Sequence, residues 1–262
     1  MSIYIVPVPI GNLKDITLRA IEILKEVDFI IAEDTRYSLK LLNYFGIKKS
    51  IISYYKPCEN KKAEKILSLL KTKKAALITD SGTPLISDPG FILIKKVIEN
   101  GVEIIPLPGP TAFVPAIVAS GIDPSKFIFL GFSPRKKGEL IKYLKTLAYL
   151  EYTLVFYESP RRVENFLIAA LSVFGNRRFA VVKEISKKNE KIIRGKLIEF
   201  AKIIESETIL GEIVIIIEGN FEKNKKEKAL KITSRDDIFE YFKEKHNISK
   251  NDLKKILIKK NK

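Results

Sequence analysis

An α/β fold in two parts, followed by a small helical tail, is predicted by three observations along this 262-residue sequence. Short apolar runs alternate with helix-period segments through the first half, the mark of a mostly parallel, helix-flanked sheet. In the second half two apolar runs are joined by only a short polar turn. That is hairpin spacing, so the second sheet is expected to be mixed or antiparallel. Finally, residues 219–228 form a charged stretch without strand character, ahead of a basic C-terminal segment. The length suits one large α/β domain or two smaller ones, since single cores stop growing at about 250–300 residues. The expected divisions are 1–118 (mostly parallel), 119–219 (mixed), and 220–262 (linker and basic helical extension).

Each element has its own local reason. Residues 3–8 read as a buried strand, and Asp15 is expected to cap a helix whose stripe is Ile16, Ala20, Ile23 and Val27. Residues 28–32 form a second strand, and 35–45 a second helix closed by Gly46. Strands follow at 51–55, 75–79 and 102–105, separated by helices at 61–71 and 91–99, the latter closed by Gly101. In the second half, strands are expected at 126–132, 152–157, 178–185, 191–195 and 212–218, and a basic helical tail at 232–262.

Composition narrows the chemistry. With one cysteine (Cys58) and one histidine (His246) there is no internal disulfide framework and no Cys/His zinc site, and a metal is not expected. His246, alone in the tail, reads as a surface residue. Met1-Ser2-Ile3-Tyr4 shows no charged leader before an apolar stretch, and no apolar run reaches the roughly 20 residues of a membrane span. A cytoplasmic protein is expected. The net charge of +16 has two readings, a Lys-rich surface bias or a polyanionic partner such as nucleic acid. Trp is absent, so any base stacking must use Phe, Tyr or Arg.

Two loops carry the strongest signal. Leu77-Ile78-Thr79-Asp80-Ser81-Gly82-Thr83-Pro84-Leu85-Ile86-Ser87-Asp88-Pro89-Gly90 and Ile104-Ile105-Pro106-Leu107-Pro108-Gly109-Pro110-Thr111-Ala112-Phe113 each follow an apolar run and open a helical pattern. In a parallel sheet such loops lie at the carboxyl ends of strands, where open α/β folds bind ligands. Gly and Pro hold tight backbone shapes there and let a ligand approach the main chain. Neither G-x-G-x-x-G after the first strand nor G-x-x-x-x-G-K-[ST] is present, which removes the common dinucleotide and P-loop readings.

Other strand ends are chemically loaded too. Pro7-Val8-Pro9-Ile10-Gly11-Asn12 reads either as a stiff strand-to-helix connection or as part of a site. Glu33-Asp34-Thr35-Arg36 serves as a helix cap with an acidic first turn, or supplies carboxylates for catalysis or for ligand hydroxyls. Tyr157-Glu158-Ser159-Pro160-Arg161-Arg162 can simply start a helix, but adjacent arginines also suit bidentate phosphate binding. Lys183-Glu184-Ile185-Ser186-Lys187 stands at another strand end.

Taken in order, these segments resemble a known family. Val6 to Ala20, Ala32 to Arg36, Gly82 to Gly90, Pro106 to Pro110 and Tyr157 to Pro160 are similar to the motifs of the ribosomal RNA small-subunit methyltransferase I family, within the tetrapyrrole methylase (class III) superfamily. The resemblance runs from about Tyr4 to Gly219. Val8 stands where the family usually shows Thr, Lys183 where Arg is usual and Ser186 where Thr is usual, whereas Lys187, Glu190, Arg194 and Gly195 fit. Ile248-Ser249-Lys250-Asn251 resembles the end of the family's C-terminal extension.

The resemblance implies two α/β domains with S-adenosylmethionine in the cleft between them, a homodimer, and methylation of the ribose 2′-hydroxyl of a decoding-centre cytidine in 16S rRNA of the small ribosomal subunit. On motif position and residue chemistry, Pro9, Asp80, Gly82, Pro84, Leu85, Pro108, Gly109, Thr111 and Ala112 are expected at the methyl donor. Asn12, Asp34, Arg36, Arg162 and Glu184 are expected at the RNA. Glu33, Glu158, Arg161 and Lys187 are expected in catalysis, with Glu158 or Glu33 as the base. Two rivals remain: a tetrapyrrole methylase of the same fold, and a non-catalytic ribosome-binding protein that has lost donor binding.

Overall fold

The computed structural model describes residues 1–55, 59–200 and 210–221. The predicted basic tail and most of the charged linker lie outside the described residues. The chain divides into two compact units, Met1–Ala112 and the residues from Phe113 onward.

The first unit alternates strand and helix as expected: β1 (Ser2–Ile5), α1 (Leu18–Glu26), β2 (Phe29–Ala32), α2 (Thr35–Tyr44), β3 (Ser50–Ser53), α3 (Glu59–Leu70), β4 (Ala75–Ile78), α4 (Phe91–Glu99) and β5 (Glu103–Pro106). The sheet runs β3-β2-β4-β1-β5 and every pairing is parallel. β1, β2 and β4 are buried along their whole length, because helices cover both faces. On one face Tyr4, Ile30, Ala76 and Ile78 pack with Ala20, Ile23 and Leu24 of α1 and Leu42 of α2. On the other, Ile3, Ile5, Ile31 and Leu77 pack with Ile66 and Leu70 of α3 and Leu93 and Val97 of α4. Burying each such aliphatic side chain contributes about 1.5–3 kcal/mol.

Two details depart from the expectation. β1 ends at Ile5 rather than Val8, because Pro7 and Pro9 have no N–H to continue a ladder. Val8 instead forms an isolated antiparallel bridge with Gly82, with N–H···O distances of 2.9 and 3.1 Å. The cap of α1 is Thr17, whose Oγ1 accepts the Ala20 N–H at 3.0 Å. Asp15 is taken up in a one-turn 3-10 helix, Leu13–Asp15, just before it.

The second unit holds α5 (Phe113–Ser120), β6 (Phe127–Phe132), α6 (Lys137–Leu147), β7 (Thr153–Glu158), α7 (Val163–Phe174), β8 (Arg178–Lys183), β9 (Lys191–Lys196) and β10 (Ile213–Ile217). Its sheet runs β6-β7-β10-β8-β9; β6 and β7 are parallel and the other pairs antiparallel, the mixed sheet that the hairpin spacing predicts. One face packs Leu154, Phe156, Phe179, Val181 and Ile215 against Leu144 of α6 and Phe166, Leu167 and Ala170 of α7. The opposite face receives α5, and the Arg194 guanidinium of β9 donates to the Ala119 carbonyl at its end.

Candidate functional site

In the first unit the topology itself makes a place for a ligand. β1 and β4 are neighbours, yet the helices that follow them, α1 and α4, lie on opposite faces of the sheet. Loops leaving adjacent strands toward opposite faces open a crevice at the carboxyl ends, the usual ligand position in open α/β sheets. The loops after β1, β4 and β5 meet there. The Val8–Gly82 bridge joins the first two, and Thr83 Oγ1 donates to the Pro110 carbonyl at 2.9 Å to join the second to the third.

Backbone shape dominates this region. Gly82 has φ +81°, and a Cβ there would sit 3.3 Å from Ile10 Cγ2. At Gly109 a Cβ would fall 2.4 Å from Pro7 Cβ, so only glycine fits. Leu85 and Ser87 both hold φ of 72°, a strained conformation for non-glycine residues that clusters at functional sites. Pro9, Gly82 and Pro84 are buried, Leu85, Thr111 and Ala112 half-buried, and Pro108 and Gly109 exposed.

The carboxylates of this unit are tied to the same strand ends. Asp80 Oδ1 accepts the Asp34 N–H at 3.1 Å, linking the ends of β4 and β2. Partial loss of water raises the Asp80 carboxyl above its ordinary range, against the pull of that N–H. Asp34 binds Arg36 in a fork (2.6 to 3.2 Å), and this lowers its pKa to about 2. Half-buried Glu33 accepts from Thr79 Oγ1 at 3.3 Å. Asn12 is exposed and its side chain is engaged locally, accepting the Lys14 N–H at 3.1 Å.

In the second unit the expected residues gather at one end of the sheet. Ile213 pairs with Glu158 on one side and Lys183 on the other, so the carboxyl ends of β7 and β8 flank the start of β10. Glu158 is only 2% exposed. Its Oε1 accepts the Ser159 N–H at 2.8 Å, and its Oε2 accepts from Ser133 Oγ at 2.5 Å and Arg162 at 2.9 Å. The same Arg162 nitrogen donates to Ser133 Oγ and to the Ser133 and Pro134 carbonyls. Arg162 is therefore occupied in clamping the β6 exit to the β7 exit, while its neighbour Arg161 is exposed.

A second cluster lies after β8. Glu184 Oε1 accepts the Glu212 N–H at 2.8 Å and Lys187 Nζ at 3.0 Å, and Lys187 also reaches Glu212 at 3.3 Å. The Glu212 N–H, then Lys187, lowers the Glu184 pKa; burial opposes charge on Lys187, but the two carboxylates outweigh it and hold its pKa up. Lys187 stays an ammonium and cannot serve as a base near neutrality. Glu184 and Ser186 adopt positive φ of 51° and 64° to make this turn. Beside it, Lys183, Glu184, Asn189, Lys191 and Gly211 line a recess of about 460 Å³.

Four participants are not singled out by the sequence: Thr79 and Thr83, Ser133 and Glu212. Thr79 and Thr83 sit inside the quoted loop. Ser133 carried a signal, since Ser133-Pro134-Arg135 after β6 repeats Ser159-Pro160-Arg161 after β7. Glu212 contributes mostly through its backbone N–H, which no residue type announces.

Comparison with known proteins fits this arrangement. The profile of the tetrapyrrole (corrin/porphyrin) methylases matches residues 2–201. The ribosomal RNA small subunit methyltransferase I of Bacillus subtilis is 38% identical over 262 residues, 99% of this chain and 90% of that protein. The protein of the same name from Halalkalibacterium halodurans is 41% identical over 229 residues, 87% of this chain and 79% of its own length. Among solved structures, a cobalt precorrin-4 methyltransferase of cobalamin biosynthesis shares the fold with a TM-score of 0.63 at 17% identity, over 83% of this chain and 94% of its own. A parallel first sheet with its loops at a switch point, a mixed second sheet, and identity near 40% along most of the chain agree: it belongs to the ribosomal RNA small subunit methyltransferase I family of the tetrapyrrole methylases, and it is a methyltransferase.

Proposed function

We propose that this protein methylates the ribose 2′-hydroxyl of a decoding-centre cytidine in 16S rRNA, with S-adenosylmethionine as donor. The observation that carries this reading is the likeness, along nearly the whole chain, to relatives named for methylating the RNA of the small ribosomal subunit. The donor loops support it chemically. Residues 79–90 and 106–112 contain no Lys or Arg, and they present exposed backbone at Pro108–Gly109 and the carboxylate of Asp80. That set suits a ligand with adenosine hydroxyls, an ammonium and a sulfonium, and no phosphate. Pro9, Gly82, Pro84, Leu85, Thr111 and Ala112 complete the proposed donor wall.

The donor, when bound, supplies a methyl group already activated by its sulfonium. What remains for the protein is orientation of the ribose oxygen, which can supply most of the acceleration, and removal of a proton. Glu33 is the better base of the two carboxylates. Glu158 has no free face toward solvent and accepts on both oxygens, so we assign it, with Arg162, to positioning. To holding the RNA we assign Asn12, Asp34 and Arg36, and on the second unit Arg161, Glu184 and Lys187, on the strength of their exposed or half-buried positions after strand ends. The +16 net charge suits such a partner.

The test is mass-spectrometric mapping of 2′-O-methylation on small subunits incubated with the purified chain and donor. A new methyl on the decoding-centre cytidine is expected. Methylation of a porphyrin precursor in place of RNA would overturn the reading, as would donor binding undetectable by calorimetry. In single-turnover assays Glu33→Gln should slow methyl transfer by roughly 100-fold or more, the usual worth of a positioned base. An unchanged rate would remove Glu33 from that role.

A further inference from the structure

The edge strand β6 contains an irregularity that the methyl-transfer reading does not use. Phe127, Ile128 and Phe129 pair in step with Thr153, Leu154 and Val155, but the next partners are Phe132 and Tyr157. Three residues on β6 thus span two on β7, with Gly131 at φ +60° within the extra length. Bulges in parallel pairs are rare, and bulges re-aim side chains next to active sites. In regular alternation Phe132 would share the face of Ile128 and Leu130, and Leu130 packs on the core of α6 and α7. The bulge turns it onto the opposite face instead, where its ring meets Tyr157 edge-on at 5.7 Å, and Tyr157 meets Phe129 at 4.8 Å. Phe132 is nonetheless 60% exposed.

At the same end of the sheet stand two matched cations. Arg135 and Arg161 are each the third residue after the ends of the adjacent parallel strands β6 and β7, in the repeated Ser-Pro-Arg. Both are exposed, and neither makes an ion pair among the described residues. The buried Glu158–Arg162–Ser133 clamp holds the two exits together. An open aromatic ring and two exposed guanidinium groups at the same strand ends, on a fixed frame, are the chemistry of single-stranded nucleic-acid binding, in which bases stack on rings and cations follow the backbone. With Trp absent, Phe and Tyr are the aromatic rings available for this stacking.

We propose that Phe132, Arg135 and Arg161 form a platform for single-stranded RNA, with the Phe132 ring under a base and the two guanidinium groups on neighbouring phosphates. This deepens the rRNA-methylating reading and rests on it for the identity of the polymer.

The test titrates the full chain with a short single-stranded oligoribonucleotide carrying 2-aminopurine. Phe132→Ala should weaken binding roughly 5- to 100-fold and abolish the stacking quench, while Phe132→Tyr keeps both. Arg135→Ala with Arg161→Ala should reduce the slope of log K against log salt by about 1.4, or 0.7 for each single-strand phosphate lost. Donor affinity should not move in these variants. Unchanged RNA affinity and quench in Phe132→Ala would overturn the platform. So would intact RNA binding with a changed sedimentation coefficient of the chain alone, since the ring would then face a second copy. If the wild-type chain failed to methylate small subunits while Phe132→Ala still weakened RNA binding, the rRNA-methylating reading would fall and the platform would stand.

Discussion

The strand-end loops of the two sheets are built from different materials. In the first unit the loops after β1, β4 and β5 are shaped mainly by backbone: the Val8–Gly82 bridge, glycine at 82 and 109, and left-handed φ at Leu85 and Ser87. In the second they are held by charge: Glu158 with Arg162 and Ser133, and Glu184 with Lys187 and the Glu212 N–H. Backbone frames leave main-chain groups facing a ligand without charge, which suits a cationic, phosphate-free donor. Charged frames tie up some ionic side chains so that others, such as Arg161, stay open. The two kinds of frame should fail in different ways, the first when a methyl group is added and the second when a charge is removed.

The largest effect should come from breaking the charged frame. Arg162→Ala leaves the Glu158 carboxylate, whose side chain is fully buried, without its counter-ion. Removing one partner of a buried pair costs about 3–5 kcal/mol, and Arg162's partial exposure places this case near about 3. Urea unfolding should show a lowered midpoint with an unchanged slope. Arg161→Ala, next along the chain but exposed, should stay within about 0.5 kcal/mol. Equal losses in the two variants would mean that the clamp holds nothing.

The backbone frame is tested by one added carbon. Gly109→Ala drives a Cβ to within 2.4 Å of Pro7 Cβ, part of a rigid ring on a buried strand exit. Overpacking of this kind costs about 1–3 kcal/mol, and the loop that must shift carries the proposed donor contacts. Calorimetry should find donor affinity lost along with stability. Gly138→Ala is the control: nothing lies within 4 Å of its Cβ, it is the second residue of α6, and alanine there should stabilise by up to about 1 kcal/mol.

This contrast also separates what the sequence revealed from what it hid. The parallel sheet, its element order and the glycine–proline loops were legible, because period, apolar runs and turn residues are local properties. Asp15 and Thr17 are both good caps, and only the 3-10 turn at Leu13–Asp15 decides between them. Glu158 read as a polar strand end open to substrate. Its burial depends on Ser133, 25 residues away, a pairing made by the sheet rather than by spacing. The outward aim of Phe132 depends on a one-residue bulge, and Gly131 was its only local trace.

The smallest effect, and the finest probe, is in the carboxylates. Asp34 sits near a pKa of about 2 because Arg36, itself 83% exposed, hydrogen-bonds it. A depressed carboxyl contributes stability above its ordinary pKa of 3.8, and loses it as pH falls through about 2. Arg36→Ala should return the Asp34 midpoint toward 3.8, read by carboxyl NMR titration. Added salt should raise it in part in the wild-type chain, by loosening the exposed Arg36 side chain, while the Arg36 N–H, which also donates to Asp34, keeps the rest of the shift. Glu184 is lowered first by a backbone N–H, that of Glu212, and only then by Lys187. Its contribution also lies above its ordinary pKa of 4.5 and fades below it, but its midpoint should resist salt, because an N–H dipole in direct contact is not screened as a distant charge is. A Glu184 midpoint that moved with salt as far as that of Asp34 would show that Lys187, not the main chain, holds this turn, and that the second frame is ionic throughout.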